Sequence, residues 1–370
     1  MNKADIRKVI SQSILADGMS PIIDLNKSHG SWLVDKVSGK EYLDLFSMFA
    51  SLSVGYNHPY VLEQSERLRI AAINKPTNSD VYSQEMAEFM HTFKRVAQPD
   101  YLPHTFFIEG GGLAVENALK VAFDWKRRKN LAKGSSAKGE KVIHFKQCFH
   151  GRTGYTMSLT DSPDKRKTMY FPKFDWPRVT NPKITFPLKD NLEHVQELER
   201  QSLHEIKEAI AANPDNIASI ILEPIQGEGG DNHFRCEYMQ SLREIADEND
   251  IMLIYDEVQT GVGVTGKMWA HQHFSSTDCD SCDCEDGLIA KPDIISFGKK
   301  TQVCGIAAST RVDEVEGNVF QESSRINSTW GGSLVDMVRL TIYLELIERD
   351  NLVDQAAKNG NVLPIKAFVP

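Results

Sequence analysis

Two adjacent lysines, Lys299 and Lys300, follow a short apolar run at residues 293–297 and a glycine, Gly298. An unbroken apolar run of this length is typical of a buried parallel strand. A lysine amine forms a Schiff base with a carbonyl compound when the fold holds it rigidly and its surroundings lower its pKa. A lysine pair is usually solvated surface, but its place directly after a buried strand favours this chemical role.

An acidic residue, Asp256, ends another apolar run at residues 251–256. A carboxylate in such a place often caps a helix or anchors a loop. It can also pair with a protonated ring nitrogen of a cofactor, which keeps that ring able to withdraw electrons. Gln259 lies just beyond this strand end and could reach a hydroxyl group on the same ring.

Three consecutive glycines, at positions 110–112, precede a helix that the sequence predicts to start near Ala114. Their backbone N–H groups and the positive end of the helix dipole fit an anion such as phosphate, although flexible turns use glycine as well. A second motif, Phe149-His150-Gly151-Arg152, offers a ring that can stack on a flat cofactor and a guanidinium for a substrate carboxylate. Alternatively, Phe149 belongs to the core and Arg152 to a surface ion pair.

Apolar runs and helical patterns alternate along the middle of the chain. The predicted strands are residues 141–145, 218–223, 251–256 and 293–297, and the predicted helices are residues 115–129, 193–212, 237–248 and 334–348. This alternation predicts the α/β class, with a mostly parallel sheet between layers of helices. Because ligands bind at the carboxyl ends of the strands in such folds, the motifs above should meet there.

Composition and charge exclude several other classes of protein. The 370 residues carry a formal net charge of −9 with no basic block, which gives no support for a nucleic-acid partner or an anionic membrane. No apolar run approaches the about 20 residues of a membrane span, and the N-terminus lacks a signal-peptide core. The six cysteines are therefore expected to be reduced thiols in a cytoplasmic protein.

The order of these motifs along the chain resembles the class III family of pyridoxal-phosphate-dependent aminotransferases, which have the fold-type I architecture. The resemblance runs from about residue 20 to 350, and its most specific blocks are residues 107–126, 221–235, 256–274, 297–305 and 323–332. It implies a mostly parallel sheet of seven strands in a large domain, and pyridoxal 5′-phosphate as the cofactor.

The resemblance also implies a role for each cofactor-binding residue. Lys299 would carry the Schiff base, with Lys300 as the less favoured neighbour, and Asp256 would pair with the pyridine nitrogen. Gln259 would contact the ring hydroxyl and lie beside the substrate. The remaining cofactor contacts would come from the backbone N–H groups of Gly111 and Gly112 at the phosphate, the stacked ring of Phe149 and the adjacent His150.

The same resemblance implies the reaction and the assembly. It implies transfer of the ε-amino group of L-lysine to 2-oxoglutarate, which gives 2-aminoadipate 6-semialdehyde and L-glutamate. Arg152 would bind the α-carboxylate of lysine, and Glu228 would mask a second arginine until 2-oxoglutarate binds. Thr329 would reach the phosphate of the neighbouring subunit, which implies a homodimer with shared active sites.

The predicted domain organisation has three parts. Residues 1–60 are expected to form the N-terminal segment of a small domain, and residues 61–333 the large cofactor-binding domain with an inserted loop at 275–287. Residues 334–370 would form an interdomain helix and a truncated C-terminal domain that lacks the family's second arginine. The insert has three cysteines, Cys279, Cys282 and Cys284, whereas a structural zinc site needs four ligands, so no metal is expected.

Three other functions remain open at this stage. The amino donor could be another ω-amino acid, such as ornithine or 4-aminobutyrate. A chain without the second arginine could instead be an impaired remnant that binds the cofactor or merely dimerises. A nucleotide-binding α/β protein is disfavoured, because the chain has no GxxxxGK[ST] motif and its glycine triplet does not fit GxGxxG.

Overall fold

The computed structural model describes residues 5–275 and 287–362. The predicted insert at 275–287, with its three cysteines, therefore lies almost entirely outside the described residues, as does the end of the predicted segment 334–370. The predicted domain boundaries at residues 60 and 333 stay predictions.

A twisted sheet forms the centre of the described chain. Its strands are β3 (His104–Ile108), β4 (Lys141–Phe145), β5 (Arg178–Val179), β6 (Ile217–Leu222), β7 (Met252–Asp256), β8 (Ile294–Phe297) and β9 (Cys304–Ala308). Among the described residues these seven strands lie in the order β3-β9-β8-β7-β6-β4-β5. Strands β8, β7, β6, β4 and β5 pair in parallel, whereas β9 runs antiparallel to both β3 and β8. The predicted α/β class with a mostly parallel seven-stranded sheet is confirmed.

The central strands β6, β7 and β8 are buried at every position. This burial explains their unbroken apolar runs, because helices cover both faces of the sheet. The sequence predicted β4 at its observed bounds, and β6, β7 and β8 to within one residue at each end.

Helices of very different lengths surround the sheet. They are α1 (Ile6–Ser11), α2 (Pro59–Glu63), α3 (Ser65–Ile73), α4 (Gln84–Val96), α5 (Gly111–Ala132), α6 (Gly154–Leu159), α7 (Leu188–Ala212), α8 (Cys236–Glu248), α9 (Leu334–Arg349) and α10 (Leu352–Val362). The predicted helices match α5, α7, α8 and α9. Helix α5 begins at Gly111 rather than near Ala114, because the positive φ of 100° at Gly110 lets the chain turn directly into the helix.

Two apolar clusters cover the two faces of the sheet. On one face, α5 packs its Val115, Leu119 and Trp125 against Ile221 and Ile254 of β6 and β7. On the other face, α4 and α9 pack against the sheet through a second cluster that includes Phe89, Phe93, Phe107, Trp269 and Phe297. Both faces are therefore closed to water, and the strand ends remain as the accessible polar edge.

The N-terminal part of the described chain contains a small antiparallel hairpin. Strand β1 (Trp32–Val34) pairs with β2 (Glu41–Leu43). Both oxygens of Asp35 accept hydrogen bonds in the connecting turn, from the backbone N–H of Ile22 at 2.8 Å and of Ser38 at 2.9 Å. These two hydrogen bonds hold the turn that joins β1 to β2. Among the described helices, none combines the length and the apolar composition needed to cross a bilayer.

Replacing Phe93 should show how strongly the second cluster stabilises the fold. Its side chain has no exposed surface, and its ring centroid lies 5.5 Å from those of both Phe107 and Phe297. We expect Phe93→Ala to lower the free energy of unfolding by about 3–5 kcal/mol, because the cavity left behind cannot collapse fully. Urea denaturation measures this change. Leu15→Ala, at a side chain that is 83% exposed, should change stability by less than about 0.5 kcal/mol; equal effects of the two variants would contradict this packing.

Candidate active site

The two lysines hold one glutamine from two sides. After β8, Gly298 leads into a short 3₁₀ turn in which Lys299 has a positive φ of 50°. Nζ of Lys299 donates a hydrogen bond to Oε1 of Gln259 at 2.5 Å, and Nζ of Lys300 donates to the backbone carbonyl of Gln259 at 2.5 Å. Lys299 and Gln259, each of which was predicted at the cofactor, are therefore brought together, and Lys300 is part of the same arrangement.

Lys300 is buried, with 5% of its surface exposed. Burial, together with the charge of the adjacent Lys299, lowers the pKa of Lys300 to about 8. Its contact with the carbonyl of Gln259 was not foreseen from the sequence, where a second lysine carries no signal of its orientation. The contact fixes the backbone at Gln259 and leaves the Gln259 side chain to Lys299.

The carboxylate of Asp256 lies buried at the end of β7 and accepts three hydrogen bonds. The donors are Nδ1 of His150 at 2.7 Å, Oγ of Ser296 at 3.1 Å and the backbone N–H of Val258 at 3.1 Å. A carboxylate has about four lone-pair sites, so one more donor can be accommodated. The structure thus unites Asp256 and His150, each of which was predicted at the cofactor, and it adds Ser296, which sequence reasoning missed because it lies within a strand.

His150 is fully enclosed and carries an unsatisfied ring nitrogen. Burial opposes the imidazolium charge, but the neighbouring Cys148 and the carboxylate of Asp256 outweigh it, so the pKa of His150 is raised well above its ordinary value. Within the part of the chain that the structure describes, its Nε2 has no hydrogen-bond partner. An unsatisfied polar atom beside a buried carboxylate is consistent with a bound polar group at this place.

Glu223, which follows β6 directly, joins two loops of the site. Its carboxyl group accepts hydrogen bonds from the backbone N–H of Phe149 at 2.8 Å and of Gly227 at 3.2 Å. Burial, with a further contribution from the charge of Asp256, raises the pKa of Glu223 to about 7. The sequence placed this acid at a strand end but gave it no role, since its partners lie on other segments.

The glycines at the start of α5 form a tightly packed cradle. A Cβ added to Gly111 would lie 3.0 Å from Cγ1 of Val258, and one added to Gly151 would lie 2.9 Å from Cα of Gly112. Larger residues would therefore displace their neighbours. The first N–H groups of a helix have no partner inside it, so those of Gly111 and Gly112 are suited to an anion.

Arg152 and Glu228 lie at one side of this site. Arg152 lines a cavity of about 870 Å³ and has no ion-pair partner among the described residues. Glu228 forms an ion pair with Lys167 and accepts a hydrogen bond from Oγ of Ser162 at 2.7 Å. The ion pair with Lys167 was not predicted, because the family pattern implied an arginine as the partner of Glu228.

Thr329 lies apart from these residues on the surface of the chain. It is exposed, and among the described residues no hydrogen bond or ion pair joins it to the lysine turn or to Asp256. The next residue, Trp330, lies under Nζ of Lys75, which is 3.7 Å from its ring centroid and 3.0 Å from Oε1 of Glu109. The predicted role of Thr329 at a neighbouring subunit stays a prediction.

A strained segment covers the lysine turn. Four successive residues, Ser47 to Ala50, have positive φ values between 44° and 61° and form a left-handed turn, a conformation that costs about 1–2 kcal/mol per residue. Just beyond it, Oγ of Ser53 donates to the backbone carbonyl of Lys300 at 3.1 Å, and Nε2 of Gln302 donates to the carbonyl of Ser51 at 2.8 Å. The sequence showed no sign of this turn, because none of its residues is a glycine.

No group of His, Cys, Asp and Glu side chains suited to a metal ion occurs among the described residues. The groups that the candidate site offers are amines, carboxylates and backbone N–H groups. A buried acid, a lysine amine and a set of helix N-terminal N–H groups are the donor set that suits a phosphorylated pyridine aldehyde.

The fold and these residues define a fold-type I aminotransferase site, and the comparison with known proteins gives the family. The family model for class-III aminotransferases matches residues 14–366, so the chain belongs to the class-III aminotransferase family. Members of this family use pyridoxal 5′-phosphate, which the residues above fit.

Two known relatives and one solved structure illustrate this similarity. The L-lysine-epsilon aminotransferase of Mycobacterium tuberculosis is 48% identical over 362 residues, which cover 97% of this chain and 77% of the relative. A 4-aminobutyrate aminotransferase of Dictyostelium discoideum is 32% identical over 359 residues, which cover 92% of this chain and 68% of the relative. The structure of a lysine aminotransferase from M. tuberculosis in the internal aldimine form superposes with a TM-score of 0.92 at 47% identity and covers 98% of this chain and 80% of that one.

The burial of Glu223 should make stability depend on pH in the cofactor-free protein. The pKa of its carboxyl group is raised from 4.5 to about 7 on folding, so the unfolded chain ionises first as the pH rises. The free energy of unfolding should therefore fall by up to about 3 kcal/mol between pH 4.5 and 7, and Glu223→Gln should abolish this fall. Urea denaturation at pH 5 and pH 8 measures both. Glu193→Gln, at an exposed site, should behave as the wild type; parallel pH curves for wild type and Glu223→Gln would contradict the prediction.

Proposed function

We propose that this chain transfers the ε-amino group of L-lysine to 2-oxoglutarate and gives 2-aminoadipate 6-semialdehyde and L-glutamate. The observation that supports lysine as the donor is the 48% identity with L-lysine-epsilon aminotransferases, compared with 32% for a 4-aminobutyrate aminotransferase. The cluster around Asp256 and Lys299 supports the cofactor chemistry, because it supplies an acid for a ring nitrogen and an amine for an aldehyde.

Each cofactor contact has a candidate residue in the proposed site. Lys299 is the point of covalent attachment, Asp256 pairs with the ring nitrogen, and Gln259 faces the ring hydroxyl. The phosphate binds the backbone N–H groups of Gly111 and Gly112, and Phe149 stacks on the ring next to His150. When bound, pyridoxal phosphate withdraws electrons from the carbon that carries the donor nitrogen.

The protein residues control charge and proton position during this reaction. Asp256 keeps the ring nitrogen protonated, and His150 and Ser296 hold its carboxylate in place through hydrogen bonds of 2.7 and 3.1 Å. The free amine of Lys299 would remove a proton from the ε-carbon of lysine and would deliver it to the cofactor. Gln259, held through its backbone by Lys300, keeps this amine oriented before the donor binds.

The donor is held by its remote end. Arg152 is exposed to the cavity beside the site and binds the α-carboxylate of lysine, which leaves the ε-amino group at the reacting position. Glu228 lies close by. Its carboxylate forms an ion pair with Lys167 and balances the charge of that amine.

The working unit in this proposal is a homodimer in which Thr329 contacts the phosphate bound to the partner subunit. The exposed position of Thr329 is compatible with this role. Several large apolar side chains are also exposed, among them Leu45 at 88%, Phe49 at 71% and Tyr82 at 77%. Exposed apolar groups of this size are typical of surfaces that a second protein covers.

Visible absorption spectroscopy of the cofactor-loaded protein tests the lysine reaction. L-lysine added without a 2-oxo acid should bleach the absorption band of the lysine-bound cofactor. Lys299→Ala should lose that band and slow the reaction by a factor of roughly 10²–10⁴. Lys300→Met should keep the band, since Lys300 contacts Gln259 rather than the cofactor. Loss of the band in Lys300→Met with retention in Lys299→Ala would reverse the assignment.

A panel of amino donors separates lysine from ornithine and 4-aminobutyrate, the alternative donors. The 32% identical relative supports testing 4-aminobutyrate, since it is a 4-aminobutyrate aminotransferase. Bleaching at a far lower concentration of lysine than of the other two supports the proposal. A chain that binds the cofactor but reacts with none of the three donors would be the binding remnant instead.

Mixed dimers test whether the active site is shared between subunits. Lys299→Ala and Thr329→Ala chains, each weakly active alone, are unfolded and refolded together. If Thr329 acts on the partner's site, the hybrid dimer contains one site with both native residues. Each hybrid dimer then has about half of the activity of a wild-type dimer. If Thr329 acts within its own chain, the hybrid has no native site and no activity returns. In the control, the Lys299→Ala chain is mixed with a Ser323→Ala chain, which is changed at an exposed neighbouring position. The Ser323→Ala chain should keep wild-type activity at its own site.

A further inference from the structure

The loop at residues 328–332, which we call the threonine loop, is held by a distant segment of the same chain. This segment, residues 75–79, lies between α3 and α4. The backbone N–H of Asn78 donates to the carbonyl of Trp330 at 3.2 Å, and Nδ2 of Asn78 donates to the carbonyl of Gly332 at 3.0 Å. Asn78 is 1% exposed, so water does not compete for these bonds. The asparagine therefore anchors the threonine loop.

The two segments also approach closely through their backbones. Gly331 and Gly332 have positive φ values of 57° and 82°, which a larger residue disfavours. A Cβ added to Gly331 would lie 3.1 Å from the backbone nitrogen of Ser79. Before Thr329, the carbonyl oxygen of Ser328 lies 3.1 Å from Oγ of Ser79. The threonine loop is thus held on both sides of Thr329.

Lys75 adds a charged contact at the exposed edge of this loop. Its Nζ lies 3.7 Å from the ring centroid of Trp330 and 3.0 Å from Oε1 of Glu109. The face of an indole ring attracts an ammonium group, and the carboxylate on the other side fixes the position of that group. Glu109 directly precedes the glycines at the start of α5. Lys75 therefore connects the threonine loop to the edge of the chain's own phosphate cradle.

Thr329 is the member of this loop whose side chain is left free. It is exposed, and within the described ranges 5–275 and 287–362 it forms no hydrogen bond or ion pair. The residues on either side of it are bound by their own chain. A loop that is already fixed loses little conformational freedom when its one free hydroxyl binds a ligand, and this strengthens the binding.

We propose that Lys75 and Asn78 are positioning residues that hold the threonine loop so that Thr329 meets the phosphate in the partner subunit. Each chain then shapes the cofactor site of its partner through a network that extends well beyond the threonine itself. Glu109 keeps Lys75 over the indole ring of Trp330. This assignment rests on the proposed function, because it needs the homodimer, and deepens it.

Hybrid dimers, purified through a different affinity tag on each chain, test this proposal. One chain carries Lys299→Ala, so the absorption band of the lysine-bound cofactor reports the site of the other chain alone. Lys75→Met on the Lys299→Ala chain should raise the dissociation constant of the cofactor at the reporting site roughly threefold to tenfold. Lys75→Met on the reporting chain itself should leave that constant unchanged. Equilibrium dialysis of the cofactor-loaded hybrids, followed through the band, measures both.

Two further variants sharpen this test. Lys75→Arg keeps a cation over the indole ring and should restore most of the affinity for the cofactor. Lys94→Met removes an exposed lysine of α4 and should have no effect in either arrangement. The proposal is overturned if Lys75→Met weakens the site of its own chain alone, if it weakens both sites equally, or if it behaves as Lys94→Met does.

Thr329→Ala in the same two arrangements separates this proposal from the proposed function. It should raise the dissociation constant at the partner's site about tenfold or more, the magnitude of one hydrogen bond to a charged group. If Thr329→Ala acts on the site of its own chain, the shared active site of the proposed function fails. If it acts on the partner's site and Lys75→Met does not, the positioning role fails alone. No substrate is present, so a failure of lysine to bleach the cofactor overturns the donor assignment and leaves this proposal standing.

Discussion

The hydrogen bonds to the buried carboxylate of Asp256 hold the candidate site together. His150 comes from the loop after β4, Ser296 from β8 and Val258 from the turn after β7, so three segments converge on one acid. This convergence requires neighbouring parallel strands that end at one edge of the sheet. A buried charge needs such partners, because without them ionisation would be strongly unfavourable.

The same edge explains why two lysines can lie close together. Lys299 and Lys300 project from one turn, and Gln259 accepts a hydrogen bond from each, through its side chain and its backbone carbonyl. Burial lowers the pKa of Lys300 to about 8, which reduces the cost of placing two amines in one site. The left-handed turn at residues 47–50 lies next to this arrangement, and the hydrogen bonds of Ser53 and Gln302 join the segment after it to the lysine turn.

Charge is distributed unevenly around the cofactor position. The floor of the site contains the acids Asp256 and Glu223, whereas the cavity beside it contains cations, of which Lys167 is balanced by Glu228. This distribution of charge suits the proposed reaction, which brings together an electron-withdrawing cofactor and substrates that carry carboxylates. In the proposed function, the acids act on the cofactor and the cations bind the substrate.

The sequence by itself determined the class of fold and the central strands, and it placed candidate site residues at the ends of those strands. Local signals were sufficient for these, since an unbroken apolar run predicts a buried strand and the residue that follows such a strand lies at the ligand-binding edge. The chain order of Gly111, Phe149, Asp256 and Lys299 then indicated the family.

The tertiary structure decided which side chains touch. Glu223 bonds to Phe149, Lys300 to the carbonyl of Gln259, and Lys167 to Glu228 across 61 positions of the chain. Contacts between such distant segments depend on how the helices and loops pack on the sheet, and no local pattern encodes that packing.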